Sequence, residues 1–247
     1  MVKIVPTPDW FLGKDILVEI FSFIVLIIFC VLAVRAYKLR KNKGLFYLGV
    51  GFGMIALAQL ASVLTKTILY YDTAPVQALG KAIISSKILN SVDIFYYTGF
   101  FFQRFLTLLG LFTIYRLPQK KVIGGDYLLI AYFVLLSALL SQKLFYLFHI
   151  TAFILLTLIV VNYSMIYRRN RFGNTRILIV AFSVLAVGQL VYLLSRVGVF
   201  FAIGSLAELL SYTLLLVLMI RILKNGEKKG PHGDNIGHVG NHPRKRR

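Results

Sequence analysis

The chain has 247 residues, of which 58% are hydrophobic and only 15% are charged, and its mean hydropathy is +0.78. Soluble domains contain roughly 45–50% apolar and about 25% charged residues, so this composition excludes an ordinary soluble protein. A single cysteine, Cys30, excludes a disulfide framework. Lys and Arg number 28 against 9 Asp and Glu, a net charge of +19. A very apolar chain that is also strongly basic is therefore the feature to be explained.

Seven apolar runs are long enough to cross a membrane as α-helices, which takes about 17–25 residues. None contains proline, so the backbone hydrogen bonds can continue unbroken, as lipid requires. We expect an all-α, polytopic integral membrane bundle, with an extracytoplasmic segment at residues 1–15, a transmembrane domain at 16–222 and a basic, disordered cytoplasmic tail at 223–247. The runs cover residues 16–37, 45–66, 93–115, 125–141, 144–166, 176–196 and 199–222.

The basic residues indicate the orientation of these helices. Twenty of them follow the first, third, fifth and seventh runs, and seven lie on the opposite side. Positively charged loops remain in the cytoplasm, so we expect a plasma-membrane protein with its N-terminus outside and its C-terminus inside. The same residues attract anionic lipid headgroups, by about 1 kcal/mol each. Nucleic-acid binding by the tail 243–247 is disfavoured, because this segment has neither a binding fold nor interleaved aromatic residues.

The first two runs match the fifth and sixth when the chain is shifted by 130 residues without a gap. Gln59 then aligns with Gln189, and polar matches at one offset are informative in so apolar a chain. We expect a parallel 3+1+3 duplication, with repeat one at 16–116, a linker helix at 125–141 and repeat two at 144–222. The other aligned pairs are Tyr37 with Tyr167, Lys38 with Arg168, Phe52 with Phe182, Ala56 with Ala186, Leu60 with Leu190, Leu64 with Leu194, Thr65 with Ser195, and Lys66 with Arg196.

In this layout the chain resembles the SWEET and PQ-loop transporters and, more distantly, the microbial rhodopsins, although their motifs are absent. The sequence Tyr37-Lys38-x-x-Lys41 before a glycine-rich helix is also similar to uncharacterised prokaryotic seven-helix membrane proteins. The transporter resemblance implies a solute site between the repeats. Rhodopsins bind retinal through a lysine in the seventh helix, and residues 199–222 contain none, so we expect no retinal or other cofactor.

Charged side chains inside a membrane usually face the bundle interior or a water-filled cavity. Arg104 lies near the middle of the third run and Glu208 a little over two turns into the seventh. We expect them at the floor of a polar pocket that opens to the outer side, as a candidate pair. Helical spacing adds stripes such as Gln59, Ser62 and Lys66. The candidate ligand-binding or pathway residues are Arg104, Glu208, Asp93, Gln59, Gln189, Lys66, Arg196, Glu19 and His149.

Each candidate also has an ordinary structural alternative. Arg104 and Glu208 could form only an ion pair that holds two helices together. Gln59 and Gln189 could serve only to form hydrogen bonds between helices, worth about 0.6 kcal/mol each. Lys66 and Arg196 lie near the ends of their runs, where a long side chain can extend to the membrane interface. A single His149 is more often a satisfied buried side chain than a ligand.

The glycines of the second run allow close packing. Gly49 and Gly53 have the GxxxG spacing that lets two helices approach, with homodimerisation as the alternative.

We expect a site for a small polar or anionic solute, in a transporter-like protein. A membrane sensor or scaffold that signals to a cytoplasmic partner is the alternative. A lipid-modifying intramembrane enzyme is less supported, because neither HExxH nor GxSxG occurs. No catalytic or metal site is predicted.

Overall fold

The computed structural model describes residues 8–11, 13–41, 43–70, 91–117, 124–141, 144–170, 173–194 and 198–227. Within these residues a short 3-10 helix at Asp9–Phe11 precedes seven α-helices, which confirms the predicted all-α class. The α-helices are α1 (Lys14–Arg40), α2 (Lys43–Tyr70), α3 (Ser91–Arg116), α4 (Gly124–Leu140), α5 (Phe145–Asn170), α6 (Gly173–Leu193) and α7 (Gly198–Glu227).

Most helices differ from the predicted runs at their ends, where hydropathy gives no sharp boundary. α1 begins at Lys14, so it includes Asp15, and α7 continues five residues past 222. α6 ends at Leu193, short of the predicted residue 196.

Five helices of the described chain are long and apolar enough to cross a membrane, and the molecule is therefore an integral membrane protein. α3, which has Gln103 and Arg104 near its middle, and the 17-residue α4 are not among the five. Leu17, Ile24 and Val31 form an exposed stripe along α1, which suits lipid rather than water. The five spans are Lys14–Leu39, Lys43–Ile68, Tyr146–Arg169, Gly173–Leu193 and Gly198–Lys224.

Six of the helices close into a ring. α1 packs against α2 and α7, α2 against α3, α3 against α5, α5 against α6, and α6 against α7. α4 contacts α3 and α5. The starts of α1, α5 and α7 therefore lie beside the ends of α2 and α6, on what we call the N-terminal side of the bundle.

Aromatic rings fill the centre of the ring of helices. Phe52 of α2 and Phe182 of α6 stack at 6.1 Å with an interplanar angle of 9°. Phe29 meets Phe52 edge-on at 4.5 Å, and Tyr163 stacks on Phe182 at 6.2 Å. Phe52 and Phe182, which contact one another here, are also the residues that the 130-residue shift aligns.

The glycines of α2 hold α1 and α3 close. A β-carbon built at Gly49 would lie 3.0 Å from the Cβ of Ala33, and one built at Gly53 would lie 3.5 Å from the Sγ of Cys30. A β-carbon at Gly110 of α3 would lie 2.6 Å from the carbonyl oxygen of Gly51. The GxxxG face of α2 is thus covered by α1 of the same chain, as close helix packing requires.

Candidate polar binding site

Polar side chains from α1, α2, α6 and α7 meet inside the bundle, on its N-terminal side. Most of these polar side chains are buried, and the helices that carry them are long and apolar enough to span a membrane. Helical spacing explains why each helix contributes several, since residues three, four or seven apart share one face. We call this group the polar cluster. Its members are Asp15, Glu19, Gln59, Ser62, Lys66, Tyr192, Ser205, Glu208 and Tyr212.

Lys66 forms two ion pairs with α1. Its Nζ lies 2.8 Å from Asp15 Oδ2 and 2.5 Å from Glu19 Oε1. The side chains of Lys66, Asp15 and Glu19 are 4%, 1% and 19% exposed. The interpretation of Lys66 as a side chain that extends to the interface is therefore wrong, because two carboxylates on the neighbouring helix hold it inside.

Asp15 is the member that the sequence analysis missed. It was assigned to the segment before the first span, but it lies in the first turn of α1 and accepts a hydrogen bond from the backbone N–H of Gly13 at 3.1 Å. Asp15 and Glu19 are four residues apart, which puts both carboxylates on one face of the helix. That spacing was the signal available in the sequence.

Glu208 is surrounded by neutral hydrogen-bond donors. Gln59 Nε2 and the Tyr212 hydroxyl each donate to its Oε1 at 2.7 Å. The Tyr192 hydroxyl lies 3.3 Å from Oε2 and 3.0 Å from Ser205 Oγ. Among the described residues, no lysine or arginine forms an ion pair with Glu208. Its carboxylate is therefore held by dipoles and not by a positive charge.

Arg104 lies apart from Glu208, so the structure does not join the candidate pair. Arg104 is buried, and its Nη1 donates to the carbonyl oxygen of Ser141 at 2.6 Å and to Ser141 Oγ at 3.2 Å. Ser141 directly follows α4, so these bonds fasten the end of that helix to α3. The guanidinium also lies 5.9 Å from the ring centre of Phe100.

His149 and Gln189 adjoin the polar cluster from α5 and α6. Both are buried, and His149 Nδ1 lies 2.8 Å from Gln189 Oε1. The imidazole stacks on Tyr192 at 4.9 Å, which links the pair to the ring that reaches Glu208. The positive charge of Arg104 is near enough to act on His149. These two sequence candidates are therefore neighbours of the cluster.

Two candidates fall outside the described part of the chain. Asp93 lies in the first turn of α3, but its side chain is outside the described residues. Arg196 lies wholly outside them. Their predicted contributions to the pocket stay predictions.

Aromatic side chains lie over the ion pairs of Lys66 on the N-terminal side. The Lys66 ammonium is 5.4 Å from the ring centre of Phe201 in α7. Phe201 meets Tyr192 at 5.5 Å and Phe11 at 6.4 Å. Phe11 belongs to the 3-10 helix that precedes α1, so the N-terminal segment itself covers this end of the polar cluster.

The polar cluster contains more acidic than basic side chains. Asp15, Glu19 and Glu208 are acidic, Lys66 is the basic member, and the charge of Glu19 acts on Glu208. No group of three or more His, Cys, Asp or Glu is placed to hold a metal ion within the described residues. Comparisons with protein-family models, with curated proteins and with solved structures found no match. The cluster thus combines an ion-paired lysine with a carboxyl group that accepts hydrogen bonds from neutral donors.

Proposed function

We propose that the protein binds a small polar solute at the polar cluster and works as a seven-span, transporter-like protein of the plasma membrane. Its N-terminus lies outside and its C-terminus in the cytoplasm, so the cluster lies in the outer half. The bundle is a parallel duplication in which α1–α3 and α5–α7 are equivalent and α4 is the linker. The basic ends of the helices contact anionic headgroups on the cytoplasmic side.

The helix contacts support the duplication. Exchanging α1, α2 and α3 with α5, α6 and α7 turns every contact of the ring into another contact of the ring: α1–α2 into α5–α6, α2–α3 into α6–α7, and α1–α7 into α5–α3. The stacked rings of Phe52 and Phe182 give independent support. Equivalent residues of two halves touch each other next to the axis that relates the halves.

One observation carries the binding proposal: the carboxyl group of Glu208, inside an apolar bundle, is surrounded by neutral donors from three helices. A charged group in lipid costs several kcal/mol, so bundles retain such groups where they act on a solute or ion. Gln59, Tyr192 and Tyr212 all direct their donors to this one carboxylate. For a purely structural role, an ion pair or apolar packing would cost less free energy.

The charge balance favours a solute with a positively charged group. Asp15 and Glu19 exceed the single charge of Lys66, and Glu208 adds a third carboxylate. A bound cation would lower the repulsion between these groups, whereas an anion would increase it. We therefore narrow the small polar or anionic solute expected from the sequence to a small amine or a comparable cation, with the aromatic rings of Tyr192 and Phe201 as further contacts.

Signalling remains the second candidate because of the apolar centre. Below the polar cluster, Phe29, Phe52, Phe182 and Tyr163 pack ring against ring, and this layer separates the cluster from the cytoplasmic half. A site closed on one side suits a sensor that passes a change of shape to a cytoplasmic partner. Transport would require these rings to separate.

Thermal unfolding of the purified protein in detergent tests the binding proposal. Choline and ethanolamine are the cationic probes, glucose the neutral one and succinate the anionic one. A ligand present at about 100 times its Kd stabilises the folded state by roughly 2.7 kcal/mol, so a specific cation raises the Tm measurably. We expect at least one amine to do so, and Glu208→Gln to abolish the shift while Leu206→Ala, on the exposed face of α7, leaves it intact.

Shifts with succinate alone, or an amine shift that survives Glu208→Gln, would contradict the proposal. For a probe that binds, uptake into proteoliposomes separates the two functions. Uptake that depends on Glu208 supports transport, and binding without uptake supports sensing.

A further inference from the structure

The N-terminal segment Pro8–Phe11 covers the polar cluster without being part of any transmembrane helix. We propose that this segment is a gate that controls access to the polar cluster from the N-terminal side and swings on Gly13. The inference rests on the proposed function for its purpose, since a gate matters only if a solute enters. The opening itself can be measured without any solute.

The closed position rests on a few apolar contacts. Phe11 is 6% exposed and meets Phe201 edge-on at 6.4 Å. A β-carbon built at Gly198, the first residue of α7, would lie 2.6 Å from the Cβ of Pro8. Pro8 and Phe11 therefore lie directly on the start of α7. The segment is held together by a hydrogen bond from the N–H of Phe11 to the carbonyl of Pro8, at 2.9 Å, so it can move as one unit.

The ring of Phe201 connects this cover to the charged groups beneath it. Phe201 contacts Phe11 on one side and the Lys66 ammonium on the other, and the ammonium is 5.4 Å from the Phe201 ring centre. Lys66 and Asp15 are almost completely buried. A polar solute can reach these buried groups only if a covering element moves, and in the described part of the chain Phe11, with Trp10 against it, lies over Phe201.

Gly13 provides the hinge. Its φ of 81° is in the region that side-chain-bearing residues rarely adopt, and it lies between the 3-10 helix and α1. Its N–H donates to Asp15 Oδ1, while Asp15 Oδ2 pairs with Lys66. One carboxylate thus contacts both the hinge and the cluster, so a solute that competes for Asp15 also releases the hinge.

Of the two aromatic side chains of the segment, only Phe11 is buried. Trp10, next to Phe11, is 55% exposed and makes its ring contacts with Phe11 and with Lys14. Segments with few buried contacts open at low free energy while the core stays folded. Opening of Pro8–Phe11 therefore requires no rearrangement of α1–α7.

Thiol reactivity tests the gate, because the chain has a single native cysteine. Cys30→Ala removes it, and Ser62→Cys places a nearly isosteric reporter in the polar cluster, at a residue that is 1% exposed. The purified protein in detergent is treated with a charged methanethiosulfonate, and the rate of modification is followed by mass spectrometry. Phe11→Ala is compared with Leu17→Ala, which removes a lipid-facing side chain 67% exposed on α1.

We expect Phe11→Ala to raise the modification rate about tenfold, since it removes the aromatic contact with Phe201, and Leu17→Ala to leave it unchanged. Equal rates in all three proteins, or equal increases in both variants, would refute the gate. If Phe11→Ala elutes as an aggregate, Phe11→Leu replaces it, because leucine keeps most of the apolar volume but removes the ring. The modification rate should then rise a few-fold, and an unchanged rate refutes the gate. Because no solute is used, failure of the amine-binding experiment leaves this result intact, and the reverse also holds.

Discussion

Lys66→Met offers the sharpest test of how the polar cluster is held together. The substitution keeps the length and apolar stem of the side chain but leaves Asp15 and Glu19 facing each other without a cation. Removing one partner of a buried ion pair costs about 3–5 kcal/mol, because the remaining charge stays buried. Asp15 is 1% exposed and suffers the full effect, whereas Glu19, at 19%, is partly relieved by solvent. We expect a loss near the lower end of that range, about 3 kcal/mol.

Reversible unfolding in mixed micelles of mild detergent and SDS measures this loss. The control is the triple variant Asp15→Asn, Glu19→Gln, Lys66→Met, which removes all three charges together. It should recover most of the stability, since a buried pair replaced as a whole by uncharged groups is often neutral. A loss below about 1 kcal/mol for Lys66→Met alone would refute the reasoning, because that is the value of a solvent-exposed pair. The side chain would then be at the interface, as the sequence alternative held.

Three further changes test neighbouring parts of the structure. Tyr212→Phe removes the hydroxyl that donates to Glu208 and should lower the free energy of unfolding by about 1.5–3 kcal/mol, the value of a hydrogen bond to a charged group, measured in the same micelles. Gly13→Ala forces a side chain into a backbone with φ of 81°; a cost of about 1–2 kcal/mol and greater iodide quenching of Trp10 fluorescence are expected, and unchanged quenching would count against the hinge. Arg104→Ala removes both bonds to Ser141 and should lower the free energy of unfolding by about 1.5–3 kcal/mol in the same micelles; an unchanged value would show that these bonds do not hold α4 against α3.

Periodicity predicted the helices and the inner faces, since both follow from local geometry. Gln59, Ser62 and Lys66 were grouped by their spacing alone, and all three are buried on one face of α2. Lipid strengthens this kind of prediction, because a polar residue has few alternatives to the bundle interior. The same reasoning failed at Asp15, where the apolar run had been taken to begin one residue later.

Which polar groups meet could not be predicted, because it depends on the order of helices around the ring. From the sequence, Arg104 and Glu208 were expected at similar depth, and their charges are opposite, so they were a candidate pair. Their helices, α3 and α7, are separated in the ring by α2 and α1 on one side and by α5 and α6 on the other. Arg104 instead meets Ser141, a contact that requires α4 to pack against α3.

The proposed duplication gives the polar cluster two unlike sides. Gln59 and its counterpart Gln189 are both buried, yet Gln59 bonds to a carboxylate, Glu208, and Gln189 bonds to His149. His149 in turn occupies the position that corresponds to Glu19 at the shift of 130 residues. The carboxyl groups are thus on α1 and α7, while α5 and α6 present a ring nitrogen and an amide.

A symmetrical cluster would have carried the same charge in both halves and would have suited a symmetrical ion. In the proposed site, a solute between the halves would meet carboxylates on one side and uncharged hydrogen-bonding groups on the other, near the positive charge of Arg104. An amine with a polar, uncharged remainder would fit both sides. Ethanolamine should therefore raise the Tm of the wild-type protein more than an equal concentration of ethylamine, which lacks the hydroxyl. An equal effect of the two amines would limit recognition to the positive charge.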